Sequence, residues 1–245
     1  MFKNYVAVVT GASRGIGYAT AKALAAEGAH VIAIARTVGS LEALDDDIKA
    51  AGGGETTLVP LDITDYDALD RLGGVIAEKY GKLDILIGNA ATLGDITPIS
   101  HLKPKVWHQL MDINVTANYR LIRSLDPLLR ASDNGRAVFL GSSNVARDPR
   151  PFWGGYAVSK AALECLVKTY AQEIEMSNLR VNILNPGALR TAMRARAVPG
   201  EDASTLDTPA DLMPLMRTLC SPDFNDNGKV ADYKMWKEDK NNFFF

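Results

Sequence analysis

The feature that most constrains this chain is a repeated alternation of short apolar segments with longer helix-like segments. The apolar segments are rich in Val, Ile and Leu, which is typical of strands buried on both faces. No hairpin turn signal separates them, so each connection must cross over the sheet, which predicts parallel strands with helices on both faces. We expect strands at 5–9, 30–35, 57–61, 83–88, 137–141 and 181–184, and helices at 15–28, 40–51, 65–80, 102–132 and 155–177.

The chain has 245 residues, a length that one large α/β domain can fill. It contains no Pro/Ser-rich linker, internal repeat or low-complexity tract. We therefore predict a single doubly wound α/β domain over residues 1–245, with a sheet of six to seven strands because segment 229–233 could add an edge strand. Two segments stand apart from this pattern: a lid at about 188–207 and a C-terminal tail at 234–245, which ends in three phenylalanines and is either frayed or docked.

Composition excludes several classes of protein. Apolar residues make up 47% and charged residues 23%, which excludes disorder, and a net charge of −2 lacks the positive field of a nucleic-acid binder. No apolar run approaches the roughly 18 residues that cross a bilayer, and the first ten residues lack signal-peptide character, so we expect a cytoplasmic protein with no membrane partner. The two cysteines and three histidines show no metal-ligand spacing, so no metal site is expected.

The segment TGASRGIG at 10–17 follows the first predicted strand and opens a helix. Gly11 permits a tight turn, Gly15 lets backbone N–H groups approach a pyrophosphate, and Gly17 allows the helix to pack closely on the strand. A Gly-rich turn that merely caps a helix is the alternative. The strand–loop–helix context favours a dinucleotide site, with Ser13, Arg14 and Ile16 in the same loop.

The end of the second strand selects the nucleotide. NAD-binding folds usually place an acidic residue there, whereas this sequence reads Ile34-Ala35-Arg36-Thr37. Arg36 and Arg14 could form two sides of a pocket for a 2′-phosphate, which predicts NADP(H) as cofactor. Two solvated surface arginines are the alternative. Asp62 could accept the adenine amino group or, alternatively, cap a helix.

A second group of residues carries acid–base chemistry. Tyr156 and Lys160 lie four residues apart, on one face of a predicted helix, and the ammonium is expected to lower the pKa of the phenol. Ser143 ends the fifth strand 13 residues earlier and can donate to the same substrate oxygen. Asn114 sits in an apolar helical segment, where Asn is a mediocre helix former. The alternatives are structural: Ser142 or Ser143 could merely end a strand, and Asn114 could satisfy a helical carbonyl.

From about residue 4 to residue 220 the chain resembles the short-chain dehydrogenase/reductase family. The motifs that carry the resemblance are TGASRGIG, LDI at 61–63, GNAA at 88–91, the Asn114 segment, Ser143, YAVSK at 156–160 and NPG at 185–187. Two features depart from the family: GNAA replaces the usual NNAG, which puts the anchoring of the fourth strand in doubt, and the C-terminal segment lacks an Asp-Gly-Gly ending.

The resemblance implies a Rossmann-like fold and a tetrad of Asn114, Ser143, Tyr156 and Lys160. In it Tyr is the acid–base, Ser holds the substrate oxygen, Lys also bonds the nicotinamide ribose, and Asn positions a water that links Lys to a proton relay. The resemblance adds Asn89, Ala90, Pro186, Gly187 and Thr191 to the cofactor site. The full set of expected cofactor-binding residues is then Gly11, Ser13, Arg14, Gly15, Ile16, Gly17, Arg36, Asp62, Ile63, Asn89, Ala90, Tyr156, Lys160, Pro186, Gly187 and Thr191.

Substrate and assembly depend on residues outside these motifs. Arg190 and Arg194 would share a face if the lid is helical, which suggests an anionic substrate; a solvated lid face is the alternative. The span between Ser143 and Tyr156 borders the substrate pocket in members of the family. In this chain it contains Arg147, Arg150, Phe152 and Trp153. The helix after Tyr156 is apolar on two sides, and together with the resemblance this predicts a homodimer or homotetramer.

The function expected first is NADP(H)-dependent hydride transfer between the nicotinamide and a carbonyl or alcohol group of a small molecule. A 3-oxoacyl-thioester ketoreductase is a narrower alternative that the lid arginines favour. A non-catalytic NADP(H)-sensing or scaffold protein is the other alternative, and the complete tetrad argues against it.

Overall fold

Seven parallel strands form one sheet in the order β3-β2-β1-β4-β5-β6-β7. The structure is a computed structural model that describes all of residues 1–245. The strands are β1 (Val6–Thr10), β2 (His30–Ala35), β3 (Thr56–Pro60), β4 (Ile85–Gly88), β5 (Arg136–Leu140), β6 (Arg180–Asn185) and β7 (Val230–Asp232).

Helices connect these strands and cover both faces of the sheet. None of them is both long enough and apolar enough to span a membrane. The α-helices are α1 (Gly15–Ala26), α2 (Val38–Ala50), α3 (Tyr66–Tyr80), α4 (Pro104–Met111), α5 (Ala117–Arg130), α6 (Ser143–Arg147), α7 (Gly154–Glu173), α8 (Ala192–Ala197), α9 (Met213–Cys220) and α10 (Tyr233–Glu238). Short 3-10 turns lie at Ile99–His101, Ala203–Thr205 and Pro209–Leu212.

Alternate side chains of each central strand enter two separate cores. In β1, Ala7 and Val9 pack with α1, α2 and α9, whereas Val6 and Val8 pack with α3, α5 and α7. This period-2 alternation with apolar residues on both sides is what a parallel sheet covered on both faces requires. The expected doubly wound α/β fold is confirmed, with seven strands.

The strand order reverses beside β1, which pairs with β2 on one side and β4 on the other. The segments that follow β1 and β4 therefore run to opposite faces of the sheet, and a crevice opens between them at the carboxyl ends of these strands. Open α/β sheets bind their ligands at such a reversal point. The fold thus fixes where the site must lie.

The single helix predicted over residues 102–132 is wrong. The structure divides it into α4, a π-helical turn over Asp112–Thr116, and α5. The π turn inserts one extra residue, and its Asn114 side chain bonds the backbone of Thr92 instead of the helix. A tertiary contact therefore interrupts a segment whose local pattern is helical throughout.

The C-terminal tail is docked, and the frayed alternative is wrong. The Asp232 N–H donates to the Phe243 carbonyl oxygen at 2.8 Å, and the Phe245 N–H donates to that of Val230 at 3.1 Å. Phe243 is buried in the core that contains α1 and α9. The tail thereby satisfies backbone groups of the edge strand β7 that would otherwise be unpaired.

Candidate active site

A cavity of about 830 Å³ opens at the carboxyl ends of the strands, at the reversal point of the sheet. Its volume lies in the upper part of the range typical of ligand pockets, roughly 300–1,000 Å³. Of the predicted site residues, only Gly17, Asn114 and Ser143 do not line it. Those that line it are Gly11, Ser13, Arg14, Gly15, Ile16, Arg36, Asp62, Ile63, Asn89, Ala90, Tyr156, Lys160, Pro186, Gly187 and Thr191.

The loop between β1 and α1 needs its glycines for two different reasons. Gly11 and Gly15 have φ values of 66° and 59°, a left-handed conformation that side chains disfavour. At Gly17 a Cβ atom would collide with the carbonyl oxygen of Gly11 and the amide of Asn89. The loop therefore brings bare backbone to the cavity edge, where the N-terminus of α1 adds positive potential.

Thr10 anchors the start of the next loop, after β4. Its hydroxyl donates to the Ile87 carbonyl oxygen and accepts the N–H groups of Asn89 and Ala90 at 2.9 and 3.0 Å. At Gly88 a Cβ atom would collide with the ring of Phe139, which fills this space. The end of β4 is thus anchored although GNAA replaces NNAG there.

Arg36 and Asp62 face each other where β2 and β3 end. We call this end of the cavity, together with the Gly-rich loop after β1, the nucleotide end, because the sequence predicts a dinucleotide there. The Arg36 Nη1 lies 3.7 Å from the Asp62 Oδ2, and the arginine side chain is 70% exposed. Burial acts to raise the Asp62 pKa, but hydrogen bonds from Thr64 and the Arg36 charge lower it overall. Asp65, not Asp62, caps α3, so the helix-cap alternative for Asp62 is wrong. An ionised acceptor and an exposed guanidinium therefore sit side by side.

Tyr156 and Lys160 lie on the buried side of the first turns of α7. The Lys160 Nζ is 5.8 Å from the centre of the Tyr156 ring and donates to the Leu140 carbonyl oxygen at 2.7 Å. Burial raises the pKa of Tyr156 to about 12, against the lowering effect of a hydrogen bond with Ser142, and burial lowers the pKa of Lys160 to about 8. The expected lowering of the phenol pKa by the lysine is therefore wrong: burial raises this pKa, and the group that acts against burial is Ser142 rather than Lys160.

The serine that faces Tyr156 is Ser142. Ser142 and Tyr156 both line the cavity, and the Ser142 hydroxyl lowers the pKa of the phenol. Ser143 is fully buried at the first position of α6, and its hydroxyl donates to the Glu164 carboxylate at 2.8 Å. The expectation that Ser143 reaches the substrate oxygen is contradicted by this placement, because adjacent side chains of the turn point to different surroundings.

Asn114 holds the cavity wall rather than lining it. Its side-chain oxygen accepts the Thr92 N–H at 2.8 Å, and its amide donates to the Thr92 carbonyl oxygen and the Ser159 hydroxyl at 2.9 Å. Its own carbonyl oxygen accepts the Asn118 amide at 2.9 Å. Asn114 therefore ties the loop after β4 to α7, next to the Tyr156 helix turn.

Apolar side chains pack around Tyr156 in the cavity wall. Trp153 packs edge-on against Tyr156, with ring centres 6.1 Å apart. Sequence reasoning missed most of this wall, because its residues come from loops and carry no motif. Residues of the cavity lining that no motif marked include Leu93, Gly94, Val106, Gln109 and Val145.

The lid arginines are already paired. Arg194 forms a two-pronged ion pair with Glu201 at 2.6 and 2.5 Å, Arg190 donates to backbone carbonyls of residues 203–206, and Arg196 donates to the Gly94 carbonyl oxygen at 2.6 Å. Helix α8 begins at Ala192, so Arg190 lies outside it. The shared helical face expected for Arg190 and Arg194 is wrong, and their charges serve the lid itself.

A model of the family "short chain dehydrogenase" matches residues 5–202. The chain belongs to the short-chain dehydrogenase/reductase family of oxidoreductases. It is 41% identical over 225 residues to the uncharacterized oxidoreductase YciK of Escherichia coli K12, covering 91% of this chain and 88% of that protein. It is 32% identical over 192 residues to the 3-oxoacyl-[acyl-carrier-protein] reductase FabG of the same organism, covering 78% and 76%.

A solved structure of a relative adds a cofactor to this comparison. The structure, described as a short chain dehydrogenase from Escherichia coli CFT073 complexed with NADPH, matches with a TM-score of 0.88 and 39% identity. The match covers 94% of this chain and 97% of that one. The fold that surrounds NADPH in that relative is therefore the fold of this chain.

Proposed function

We propose that this oxidoreductase transfers hydride between NADP(H) and a carbonyl or alcohol group, with Tyr156 as the acid–base residue. The observation that carries the proposal is that Tyr156 and Lys160 lie side by side in the wall of the same cavity that the Gly-rich loop lines. A dinucleotide site and an acid–base pair thus share a single cavity.

The residues of the nucleotide end fit NADP(H). Gly11 and Gly15 leave the backbone bare, and the N-terminus of α1 favours a pyrophosphate. The exposed guanidinium of Arg36, with Arg14 also in the lining of this cavity, suits a 2′-phosphate, and Asp62 offers an acceptor to the adenine amino group. When bound, the nicotinamide supplies or accepts the hydride; Pro186, Gly187 and Thr191 would flank it.

Three side chains of this chain would handle the proton and the substrate oxygen. Because its pKa is raised to about 12, the Tyr156 phenol is protonated at neutral pH and can donate to the oxygen of a carbonyl that is being reduced. Ser142 takes the role that the spacing gave to Ser143 and donates to the same oxygen. Lys160 holds a positive charge beside the phenol and stabilises the phenolate as it forms.

In this proposal Asn114 does not contact the substrate but positions the cavity wall. It fixes the wall formed by Thr92 against Ser159, one turn from Tyr156, and so keeps the two sides of the cavity in register. The water-positioning role implied by the family resemblance stays a prediction.

The apolar wall around Trp153 favours a substrate with an apolar body next to its carbonyl group. The 3-oxoacyl-thioester alternative draws support from the relative FabG, but the lid arginines that favoured it are engaged within the lid. The sensing or scaffold alternative predicts NADPH binding without turnover.

For the assembly, we propose a homodimer or homotetramer built on α7. Val158 and Cys165 lie on its exposed side, opposite the buried stripe of Leu163, Val167 and Tyr170. A second copy packed on this side would remove the exposed apolar surface from water. A purified protein that elutes only as a monomer in light scattering at micromolar concentration would contradict this. The cytoplasmic location stays a prediction.

The test of the function is NADPH oxidation by the purified protein against diketones, quinones, steroids, sugars and 3-oxoacyl thioesters. Tyr156→Phe is the matched variant, because it removes one hydroxyl and keeps the ring beside Trp153. We expect turnover that falls by about 10²–10⁴-fold in this variant, while NADPH binding, measured by fluorescence titration, is retained. Turnover that survives the substitution would show that Tyr156 is not the acid. NADPH binding with no turnover in the whole panel would favour the sensing alternative.

A further inference from the structure

The Glu164 carboxylate is a buried node behind the active site. The residue is 9% exposed and accepts the Ser143 hydroxyl on Oε2 at 2.8 Å. Its Oε1 accepts Arg147 Nη2 at 2.6 Å and Lys168 Nζ at 2.7 Å. Burial acts to raise the Glu164 pKa, but hydrogen bonds from Lys168, Arg147 and Ser143 lower it overall, so the group stays ionised.

The side-chain hydrogen bonds of Ser143 and Arg147, at the two ends of α6, all end on this one carboxylate. The segment consists of α6, a helix of five residues, and the residue before it, whose side chain caps nothing. So short a helix has little stability of its own. The position of Ser142 at the Tyr156 phenol therefore depends on how firmly Ser143 and Arg147 are held by Glu164.

Arg147 is in turn held by the C-terminal tail. Its guanidinium lies 4.8 Å from the centre of the Phe245 ring, within the range of a cation–π interaction. The backbone of Phe245 is fixed by its hydrogen bond to Val230 of the edge strand, and its neighbour Phe244 forms an antiparallel bridge with Ala231. The ring is 49% exposed, so its contact with Arg147 accounts for its placement better than core packing does.

We propose that Phe245 is a positioning residue for the active site, acting through Arg147 and Glu164 on the turn that presents Ser142 to Tyr156. The ring restricts the guanidinium to the geometry in which Nε and Nη2 both reach the same Glu164 oxygen. A carboxylate held in this way keeps its other oxygen on Ser143. The Phe-rich tail, which carries no family motif, thereby helps to hold Ser142 in place.

The first test measures kcat and therefore rests on the proposed function, since it requires a substrate that the protein turns over. Phe245→Leu keeps an apolar side chain but removes the π face. We expect it to lower kcat about twofold to fivefold, the fold-change that corresponds to an exposed cation–π interaction, with the Kd for NADPH and the Tm unchanged. Phe245→Tyr should restore kcat. Lys240→Met is the matched control, since it removes a different tail cation–π pair, Lys240 over Trp236, and should leave kcat unchanged.

Amide hydrogen exchange tests the same inference without turnover. Residues 142–147 of the Phe245→Leu variant should exchange faster than those of the wild-type protein, whereas β1 and α1 should be unchanged. Unchanged exchange in 142–147, or faster exchange with an unaltered kcat, would overturn the proposal. If the wild-type protein turns over no substrate, the proposed function fails, and the exchange experiment still decides whether Phe245 restrains the turn.

Discussion

Ser142 and Ser143 are neighbours in the chain, yet Ser142 lines the same cavity as Tyr156, whereas the hydroxyl of Ser143 donates to Glu164. One residue of spacing therefore separates a group that can touch the substrate from a group that holds the turn in place. Both serines follow a strand that ends at Leu140, and only the turn geometry distinguishes them.

This relationship predicts a ranking of two matched variants. Ser142→Ala should lower kcat about 100-fold, as the loss of one donor to a reacting oxygen does. Ser143→Ala should lower kcat less than about tenfold but should reduce the free energy of unfolding by about 1–2 kcal/mol, because a buried carboxylate loses a hydrogen bond. Steady-state kinetics and urea unfolding measure both quantities. A larger loss of kcat in Ser143→Ala than in Ser142→Ala would show that Ser143, not Ser142, contacts the substrate.

Arg36→Ala tests the selection of the nucleotide. A charge-assisted hydrogen bond to the 2′-phosphate is worth about 1.5–3 kcal/mol, so the Kd for NADPH should rise tenfold or more. The Kd for NADH, which lacks this phosphate, should change little. Arg71→Ala removes an exposed arginine of α3 that does not line the cavity and serves as the control. Equal losses for both nucleotides would refute the role of Arg36.

The Arg194–Glu201 ion pair predicts that the two residues act as a unit. If the pair orders the lid, Arg194→Met and Glu201→Gln should raise KM by similar factors, of about twofold to tenfold, for neutral and acidic carbonyl substrates alike. If Arg194 instead bound a substrate anion, only Arg194→Met would act, and only on acidic substrates. Comparison of KM for a matched neutral and acidic pair separates the two cases.

The main outline of the fold is present in local sequence pattern. Six strands lie within about two residues of their expected positions, because apolar runs buried on both faces are unambiguous. The π turn at Asn114 is not predictable in this way, since its cause is the bond to Thr92, 22 residues away. The docked tail likewise depends on the free edge of β7, which exists only once the sheet has formed.

The site is predictable to the extent that it consists of strand ends. Gly11 and Arg36 line the cavity as expected, because carboxyl ends of neighbouring strands meet at one edge, and Tyr156 reaches the same cavity from the first turn of α7. What could not be predicted are partners set by tertiary packing. Ser143 donates a hydrogen bond to Glu164, and Arg194 forms an ion pair with Glu201. No sequence signal marks either glutamate as a partner of these residues.

Lys160 should make stability depend on pH in a direction opposite to that of most lysines. Burial lowers its pKa from the ordinary 10.5 to about 8 in the folded protein. Between these two values the unfolded chain binds more protons at this residue than the folded protein does, so the free energy of unfolding contributed by Lys160 rises with pH. Below pH 8 both states are protonated, and the folded protein bears the full penalty of a buried charge.

The measurement is urea unfolding of wild-type protein and Lys160→Met at pH 7 and at about pH 9.5. Relative to the variant, the wild-type protein should gain about 2 kcal/mol between the two conditions. Surface lysines and Tyr156 titrate in both proteins and cancel in the difference, and Lys240→Met should run parallel to wild type. The neutral amine can still donate to the Leu140 carbonyl oxygen, so the gain requires no rearrangement. A constant difference between wild type and Lys160→Met across this range would mean that Lys160 keeps an ordinary pKa in the folded state.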